Sequence, residues 1–404
     1  MVKIAILGYG TVGGGVAKVL DENADKVKAY IGKDVEVGYI LDLRDFPGDA
    51  HEKQVVRDMD AILDDPDVRV VCETMGGTEP AYEYTKRALE KGISVCTSNK
   101  EMVAAHGPEM VRIAKEHHCS YLFEASAGGG IPVLRPFSTV LMHERIDHVY
   151  GILNGTTNYI LTRMVQDGAE FEAALRRAQE KGYAEKDPTA DIEGHDACRK
   201  TSILASLASG TYVQTKDIPT EGITNISAID NAYARENGYV IKLLGSVTVG
   251  EDGAVGALVA PRFVPVNHPL SSVNEVFNAV MVHGNMLDNI MFYGRGAGRD
   301  ATASAVVSDM LDALKHDGET VFVNLTENPA KMMGADRMTG RFFVRVDESQ
   351  KAAAVKTFGE NISVKESKNF GGEFAFITSE MSEKQFEEAC ASIDGVRGFM
   401  RVLS

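Results

Sequence analysis

"KIAILGYGTVGGGVAKVL" (Lys3 to Leu20) opens the chain and decides how its first third is read. A short apolar run passes through a glycine turn into a helical pattern. Gly8, Gly10 and Gly13 stand in the G-x-G-x-x-G spacing, with Tyr9, Thr11 and Val12 between them. The first glycine allows a tight turn, and the second lets backbone approach a pyrophosphate at the helix N-terminus. The third permits close packing of helix on strand. Strand-like runs recur at "DVEVGYIL", "VRVVCETM", "ISVCTS" and "CSYLFEAS", with helical stretches between them. This alternation predicts an α/β fold: a doubly wound, Rossmann-type parallel sheet over residues 1–138 that binds a dinucleotide.

Working outward, Asp42 closes the next strand, followed by Leu43 and Arg44. An acid there bonds the adenosine ribose of NAD, and a nearby Arg accommodates the extra phosphate of NADP. Both residue types are present, so the cofactor is read as NAD or NADP. The acid lies further from the glycine loop than the usual ~20 residues. "TSNKEMV" sets Ser98, Asn99 and Lys100 at the carboxyl end of a strand, where open α/β sheets bind ligands. Lys100 is then a candidate contact for an anion or carbonyl, against the plainer reading of a surface lysine at a helix start.

Residues 139–293 read as an α+β substrate domain. "GILNGTTNYIL" leads a strand into a helix through a cap-rich turn. "FEAALRRAQEKG" and "ACRKTSILASLASG" are helices closed by Gly182 and Gly210, and "VIKLLGSVTVGEDGAVGALVAPRFVP" is a pair of strands around Asp-Gly. Residues 294–339 contain a glycine loop and a helix expected to pack back onto the first domain. Residues 340–404 form a small tail, ordered strand, helix, strand, strand, helix, strand.

Between the two helices of the substrate domain lies "GYAEKDPTADIEGHDACRK" (Gly182 to Lys200), with five carboxylates in twelve residues. Pro188 keeps Asp187 extended, and a helix is expected to start near Glu193. Asp196 and Lys200 are spaced i, i+4 and share a helix face. One reading is a surface salt bridge of little energetic worth. The other is a lysine positioned by its acid for proton transfer, with Glu185 and Asp191 free to grip a cationic amino group. "EASAGGGIP" (Glu124 to Pro132) exposes backbone at close range. Its carbonyls and one carboxylate can wrap a hard cation, or the run can be a turn between domains.

The chain has 404 residues and a net charge of −16. That charge argues against nucleic acid or an anionic membrane as partner. No run of about 18 apolar residues exists, so a spanning helix is not expected. Cys72, Cys96, Cys119, Cys198 and Cys390 form no C-x-x-C pair, which fits reduced thiols in a cytoplasm.

The segments "GYGTVGGGV", "GGTEPAYEYTKRALEKGISVCTSNK", "EASAGGGIP", "GILNGTTNYIL", "GYAEKDPTADIEGHDACRK" and "GAGRDATASAVVSD", in this order, resemble the homoserine dehydrogenases. The resemblance implies reversible, nicotinamide-dependent interconversion of L-aspartate 4-semialdehyde and L-homoserine, in threonine, methionine and isoleucine biosynthesis. It also implies roles. Lys200 matches the proton donor to the carbonyl oxygen and Asp196 the acid beside it. Glu185 and Asp191 match acids around the substrate amino group. Lys100 matches a lysine near nicotinamide and substrate, and Gly182 and Gly298 match glycines near the cofactor. Glu124 matches a sodium ligand, with the backbone carbonyls of Ala127, Gly129 and Ile131. Thr156 and Thr157 are candidates for the substrate carboxylate. The family further suggests a homo-oligomer, dimer or tetramer.

Two departures stand out. Leu41 sits where the family often has Arg. The tail is similar to an ACT domain but lacks the Pro-Gly turn before its first helix. Two other readings compete: an aspartate-semialdehyde dehydrogenase type, which needs a nucleophilic Cys and phosphate, and a non-catalytic regulator that senses nucleotide and amino acid.

Overall fold

The structure is a computed structural model describing residues 1–366 and 371–403. Its first part runs β1 Val2–Leu7, α1 Thr11–Glu22, α2 Ala24–Ile31, β2 Val35–Leu41, β3 Val55–Val56 and α3 Asp60–Leu63. It continues with β4 Val68–Glu73, α4 Ala81–Glu90, β5 Ser94–Thr97, α5 Lys100–Glu116, β6 Tyr121–Leu122 and α6 Leu134–Ser138. The strands form one sheet in the order β3-β2-β1-β4-β5-β6, and every pairing is parallel. The chain reverses direction across the sheet between β1 and β4, which opens a crevice beyond their carboxyl ends. Ile4, Ala5, Ile6 and Leu7 are all buried, as continuous apolar strands covered on both faces must be.

The second part runs β7 Ile146–Ile152, α7 Gly155–Asp167, α8 Phe171–Glu180, α9 Thr189–Ile192, α10 His195–Ser209, α11 Ala228–Glu236 and β8 Tyr239–Val249. It then adds β9 Val255–Pro265, β10 Phe277–Gly284, β11 Asp288–Arg295 and α12 Arg299–Lys315. The β8–β9 hairpin turns at Asp252 and Gly253, as the sequence suggests. The helix expected near Glu193 starts at His195 instead. Gly194, at φ +82°, separates it from the short turn of α9. Helix α12 returns to the nucleotide-binding half and crosses α1. A Cβ on Gly15 would come within 2.8 Å of the Ala303 Cβ, so the missing side chain sets how closely these helices approach.

The tail consists of β12 Thr339–Asp347, α13 Lys351–Phe358, β13 Ser363–Lys365, β14 Glu373–Ile377, β15 Met381–Ser382, α14 Glu383–Ala391 and β16 Val396–Val402. Its strands lie in the order β16-β12-β14-β13, with antiparallel neighbours. They are continuous with the sheet of the second part, because β16 pairs with β9 in parallel at Arg401–Arg262 and Val402–Phe263. Phe342, Phe358, Phe374, Phe376 and Phe386 fill one face beneath the tail's own helices. On the other face Phe343 stacks on Phe263 at 4.6 Å between centroids. Two paired arginines hold the seam. Arg345 bridges Asp230 and Glu373, and Arg401 bridges Glu221 and Glu383.

Among the described residues, no helix is long and apolar enough to cross a membrane.

Candidate active site

The cradle at the end of β1 is built by backbone. Gly8 adopts φ +85°, and its amide bonds the Leu41 carbonyl at 2.8 Å. A Cβ on Gly13 would sit 2.0 Å from the Gly8 carbonyl oxygen and 2.8 Å from Thr74 Oγ1. Only hydrogen fits there, so the first turn of α1 closes tightly under the crevice. Gly10 precedes the helix and no side chain caps it, which leaves the first amides of α1 free for an anion. Thr11 is exposed at the helix start and Val12 is half-buried. This geometry fits a dinucleotide pyrophosphate.

At the end of β2 the Asp42 carboxylate accepts the Tyr9 amide (2.7 Å), the Arg44 amide (3.0 Å) and the Arg44 guanidinium (2.8 and 3.0 Å). The Arg44 guanidinium is the largest cause holding Asp42 well below the usual carboxylate range. Arg57 donates to the Asp42 carbonyl. Acid and cation thus share the corner, as both readings of the cofactor require.

Ser98 and Asn99 connect β5 to α5. Asn99 is buried and caps the helix, accepting from the Met102 amide at 3.2 Å and donating to the Gly77 carbonyl at 2.6 Å. The cap fixes the helix start that presents Lys100. Glu73, fully buried at the end of β4, accepts from Thr97 Oγ1 and the Met75 amide. Burial pushes it up to about 7.

Lys100, Lys200, Asp196 and Asp191 converge on one cleft of about 360 Å³, together with Asn154, Thr156, Gly182, Tyr183, Arg295, Gly296 and Gly298. Lys200 is only 8% exposed, so its pair with Asp196 is a buried contact and not a surface bridge. Its ammonium donates to Asp196 Oδ2 at 2.7 Å and to the Leu153 carbonyl at 2.8 Å. An ammonium carries three N–H groups, so one remains for the cleft. The other oxygen of Asp196 forms an ion pair with Lys100, which arrives from the nucleotide-binding sheet. Burial alone would raise the Asp196 pKa, but the two lysines outweigh it and hold the acid well below the ordinary range.

Asn154 joins the two acids, a role the sequence reading missed. Its side chain caps α7 by accepting the Thr157 amide at 2.9 Å. Its NH2 group donates to Asp191 Oδ1 at 2.7 Å and to Asp196 Oδ2 at 2.9 Å. The Gly-Thr-Thr-Asn turn signalled a cap, and a cap asparagine has an amide group to spare. Burial, followed by the neighbouring charge of Asp196, raises Asp191. Arg295 and Tyr183 were likewise unmarked, since a single Arg or Tyr carries no spacing signal.

Three residues stand elsewhere. Glu185 is exposed on its loop, and among the described residues its side chain has no ion pair or hydrogen bond. Thr157 is buried and bonds the Asn154 carbonyl. The Glu124 carboxylate accepts the amides of Val133, Leu134 and Arg135 at 2.5, 2.8 and 2.7 Å. That largely satisfies it as an acceptor. The carbonyls of Ala127, Gly129 and Ile131 accept no backbone amide outside helices and strands among the described residues. No cluster of three or more His, Cys, Asp or Glu suited to a metal occurs among these residues.

The five thiols are unpaired. Burial raises all of them, Cys72 and Cys119 to about 12 and Cys390 to about 11, so none is poised as a thiolate.

Known proteins resemble this chain over most of its length. A family model described as homoserine dehydrogenase matches residues 132–311, and one described as the NAD binding domain of homoserine dehydrogenase matches residues 8–124. A homoserine dehydrogenase of Synechocystis sp. is 43% identical over 334 residues, covering 81% of this chain and 76% of that protein. The crystal structure of a homoserine dehydrogenase from Thiobacillus denitrificans superposes with a TM-score of 0.90 at 32% identity, covering 100% of this chain and 98% of that one. A hyperthermophilic archaeal homoserine dehydrogenase in complex with NADPH gives a TM-score of 0.66 at 27% identity, over 77% of this chain and 97% of that one. Neither the acyl-phosphate-forming alternative nor the non-catalytic regulator finds support in these matches. The chain belongs to the homoserine dehydrogenase family.

Proposed function

We propose that the cleft between the two halves interconverts L-homoserine and L-aspartate 4-semialdehyde, with Lys200 moving the proton. The observation that carries this is the Lys200 ammonium: it lines the cleft, and Asp196 and Leu153 take two of its three donors. A nicotinamide dinucleotide bound at the glycine cradle supplies the hydride acceptor or donor. Negative charge develops on the aldehyde oxygen in the reductive direction, and Lys200 stabilises it and delivers a proton there. In the oxidative direction Lys200 enters as the neutral amine, takes the hydroxyl proton and becomes the ammonium. Asp196 holds the ammonium in place. Arg could not serve, because it does not release its proton at working pH.

Asp191 accepts the substrate ammonium, joined by Glu185 when the Gly182–Pro188 loop folds inward. Lys100 lies beside the nicotinamide and substrate, and Thr156 is a donor for the substrate carboxylate. Gly8, Gly10, Thr11, Val12 and Gly13 hold the pyrophosphate. Ser98, Asn99, Gly182 and Gly298 border the nicotinamide. Asp42 binds the ribose hydroxyls of NAD, and Arg44 with Arg57 receives the phosphate of NADP, so both cofactors serve. The NADPH complex of the archaeal relative supports the second. Sodium, the family's cation, is assigned to the free carbonyls of Ala127, Gly129 and Ile131, with Glu124 holding the loop around it. Residues 1–138 with 294–339, residues 139–293 and residues 340–404 act as nucleotide-binding, substrate and ACT-like packing units. The enzyme is a cytoplasmic homo-oligomer. Supporting self-association, Met286, Leu287, Met291 and Tyr293 are exposed along and beside the edge strand β11.

A steady-state assay tests the function. Nicotinamide absorbance at 340 nm is followed with L-homoserine and NAD or NADP, with and without phosphate. Turnover independent of phosphate and resistant to thiol alkylation is expected. Turnover that requires phosphate would refute the proposal.

A further inference from the structure

Asn278 lies on β10 with 1% of its surface exposed, and among the described residues neither its Oδ1 nor its Nδ2 has a hydrogen-bond partner. A buried carboxamide left unbonded costs about 1–3 kcal/mol per group, so its retention needs an explanation. The position supplies one. Asn278 pairs with Gly294 of β11, and β10 also pairs with β7, where Ala279 faces Ile152. Ile152 ends β7, and the carbonyl of the next residue, Leu153, holds Lys200. Its carboxamide presses on the Gly296 backbone. A Cβ on Gly296 would lie 2.0 Å from Asn278 Cγ and Nδ2.

Gly296, Ala297 and Gly298 line the same cleft as Lys200. They are held from behind by the glycine run, since a Cβ on Gly129 would lie 2.5 Å from the Gly296 carbonyl. Among the described residues the amides of Ala297 and Gly298 donate to no backbone carbonyl, and no side chain caps the helix they lead into. An unbonded buried carboxamide therefore lies against the backbone at the start of a loop that lines the cleft.

We propose that Asn278 is a positioning residue that latches the Gly296–Gly298 loop against the bound nicotinamide cofactor. In the loaded enzyme its Oδ1 accepts a loop amide and its Nδ2 donates to a loop carbonyl. The loop then stands as a fixed wall behind the nicotinamide, in the cleft that Lys200 lines. This rests on the reading that the cleft holds the cofactor. The free enzyme pays for the latch with an unbonded amide and recovers the bonds on loading.

The test is Asn278→Leu, which keeps the volume and removes the polar atoms. The free variant should melt at or above the wild-type temperature, because no bond is lost. Its KM for the nicotinamide cofactor should rise about tenfold, equivalent to about 1.4 kcal/mol, while kcat at saturating cofactor stays within about threefold of wild type. Hydrogen–deuterium exchange should show residues 296–301 protected by cofactor in wild type and much less in the variant. A free variant that melts several degrees lower, with cofactor KM and loop protection unchanged, would overturn the latch and make Asn278 purely structural. If the leucine does not fold, Asn278→Ala is read on cofactor KM and loop protection alone, with the same expected and overturning results, since its cavity lowers the melt by itself. If wild type itself shows no cofactor-induced protection around Gly298, the cleft reading fails and the latch fails with it.

Discussion

Asp309 sits in the middle of α12 without exposed surface, and its Oδ2 accepts the Glu124 amide at 2.7 Å. Burial, with the nearby Glu124 charge, pushes it up to about 8. The group therefore holds its proton in the folded chain at pH values where the unfolded chain has lost it. A raised folded pKa contributes stability that is full below the unfolded value near 3.8 and is lost as pH rises through about 8. Each pH unit in that window removes up to about 1.4 kcal/mol. Asn, which keeps the shape and the acceptor, has no such dependence. Asp309→Asn should come closest to wild type in melts near pH 4 and melt progressively further above it toward pH 9. A constant difference across that range would contradict the assignment. Nothing in the sequence marked this acid. It lies 185 residues from the amide it receives, inside a motif read only for its family resemblance. Lys200 and Asp196 were legible because i, i+4 spacing is a local rule. Asn154 was not, because its second partnership depends on where a distant helix lands.

At the scale of elements, the glycine loop and its flanking strand and helix were written fully in the first twenty residues. Their order alone fixed a parallel sheet with a crevice at its carboxyl edge. Gly13 is the position where that reading is most exposed to test. A methyl there collides with the Gly8 carbonyl at 2.0 Å, and backbone cannot step aside as a flexible side chain would. Gly13→Ala should cost about 1–3 kcal/mol of stability and weaken dinucleotide binding by at least about tenfold. Calorimetric titration together with thermal melts would check both. Wild-type affinity would mean that the turn does not form the cradle. The start of α10 was misplaced at Glu193 because Gly194, at positive φ, stops the first turn, and the sequence offers no sign of how far such a break reaches. Glu124 was read as a ligand by resemblance. Its side chain instead caps a five-residue helix, which local pattern did not mark.

The whole molecule places its chemistry where its two halves meet. Lys100 comes from the nucleotide-binding sheet and Lys200 from the substrate half, and both bear on Asp196. Arg199 and Glu101 add a second bridge at 3.3 Å. The seam between β9 and β16 was not legible, since pairing between strands so distant in sequence is set by tertiary packing and not by local period. Neither was the closeness of the tail to the substrate half, where Phe343 meets Phe263. Lys100, Asp196 and Lys200 each kept a short-range signature, and only their meeting needed the fold. The most direct measurement is turnover of L-homoserine by Lys200→Ala, set beside its calorimetric affinity for the nicotinamide cofactor. Loss of a positioned proton donor should lower kcat by about 10²–10⁴ and leave cofactor affinity near wild type; wild-type turnover in this variant would contradict the role given to Lys200.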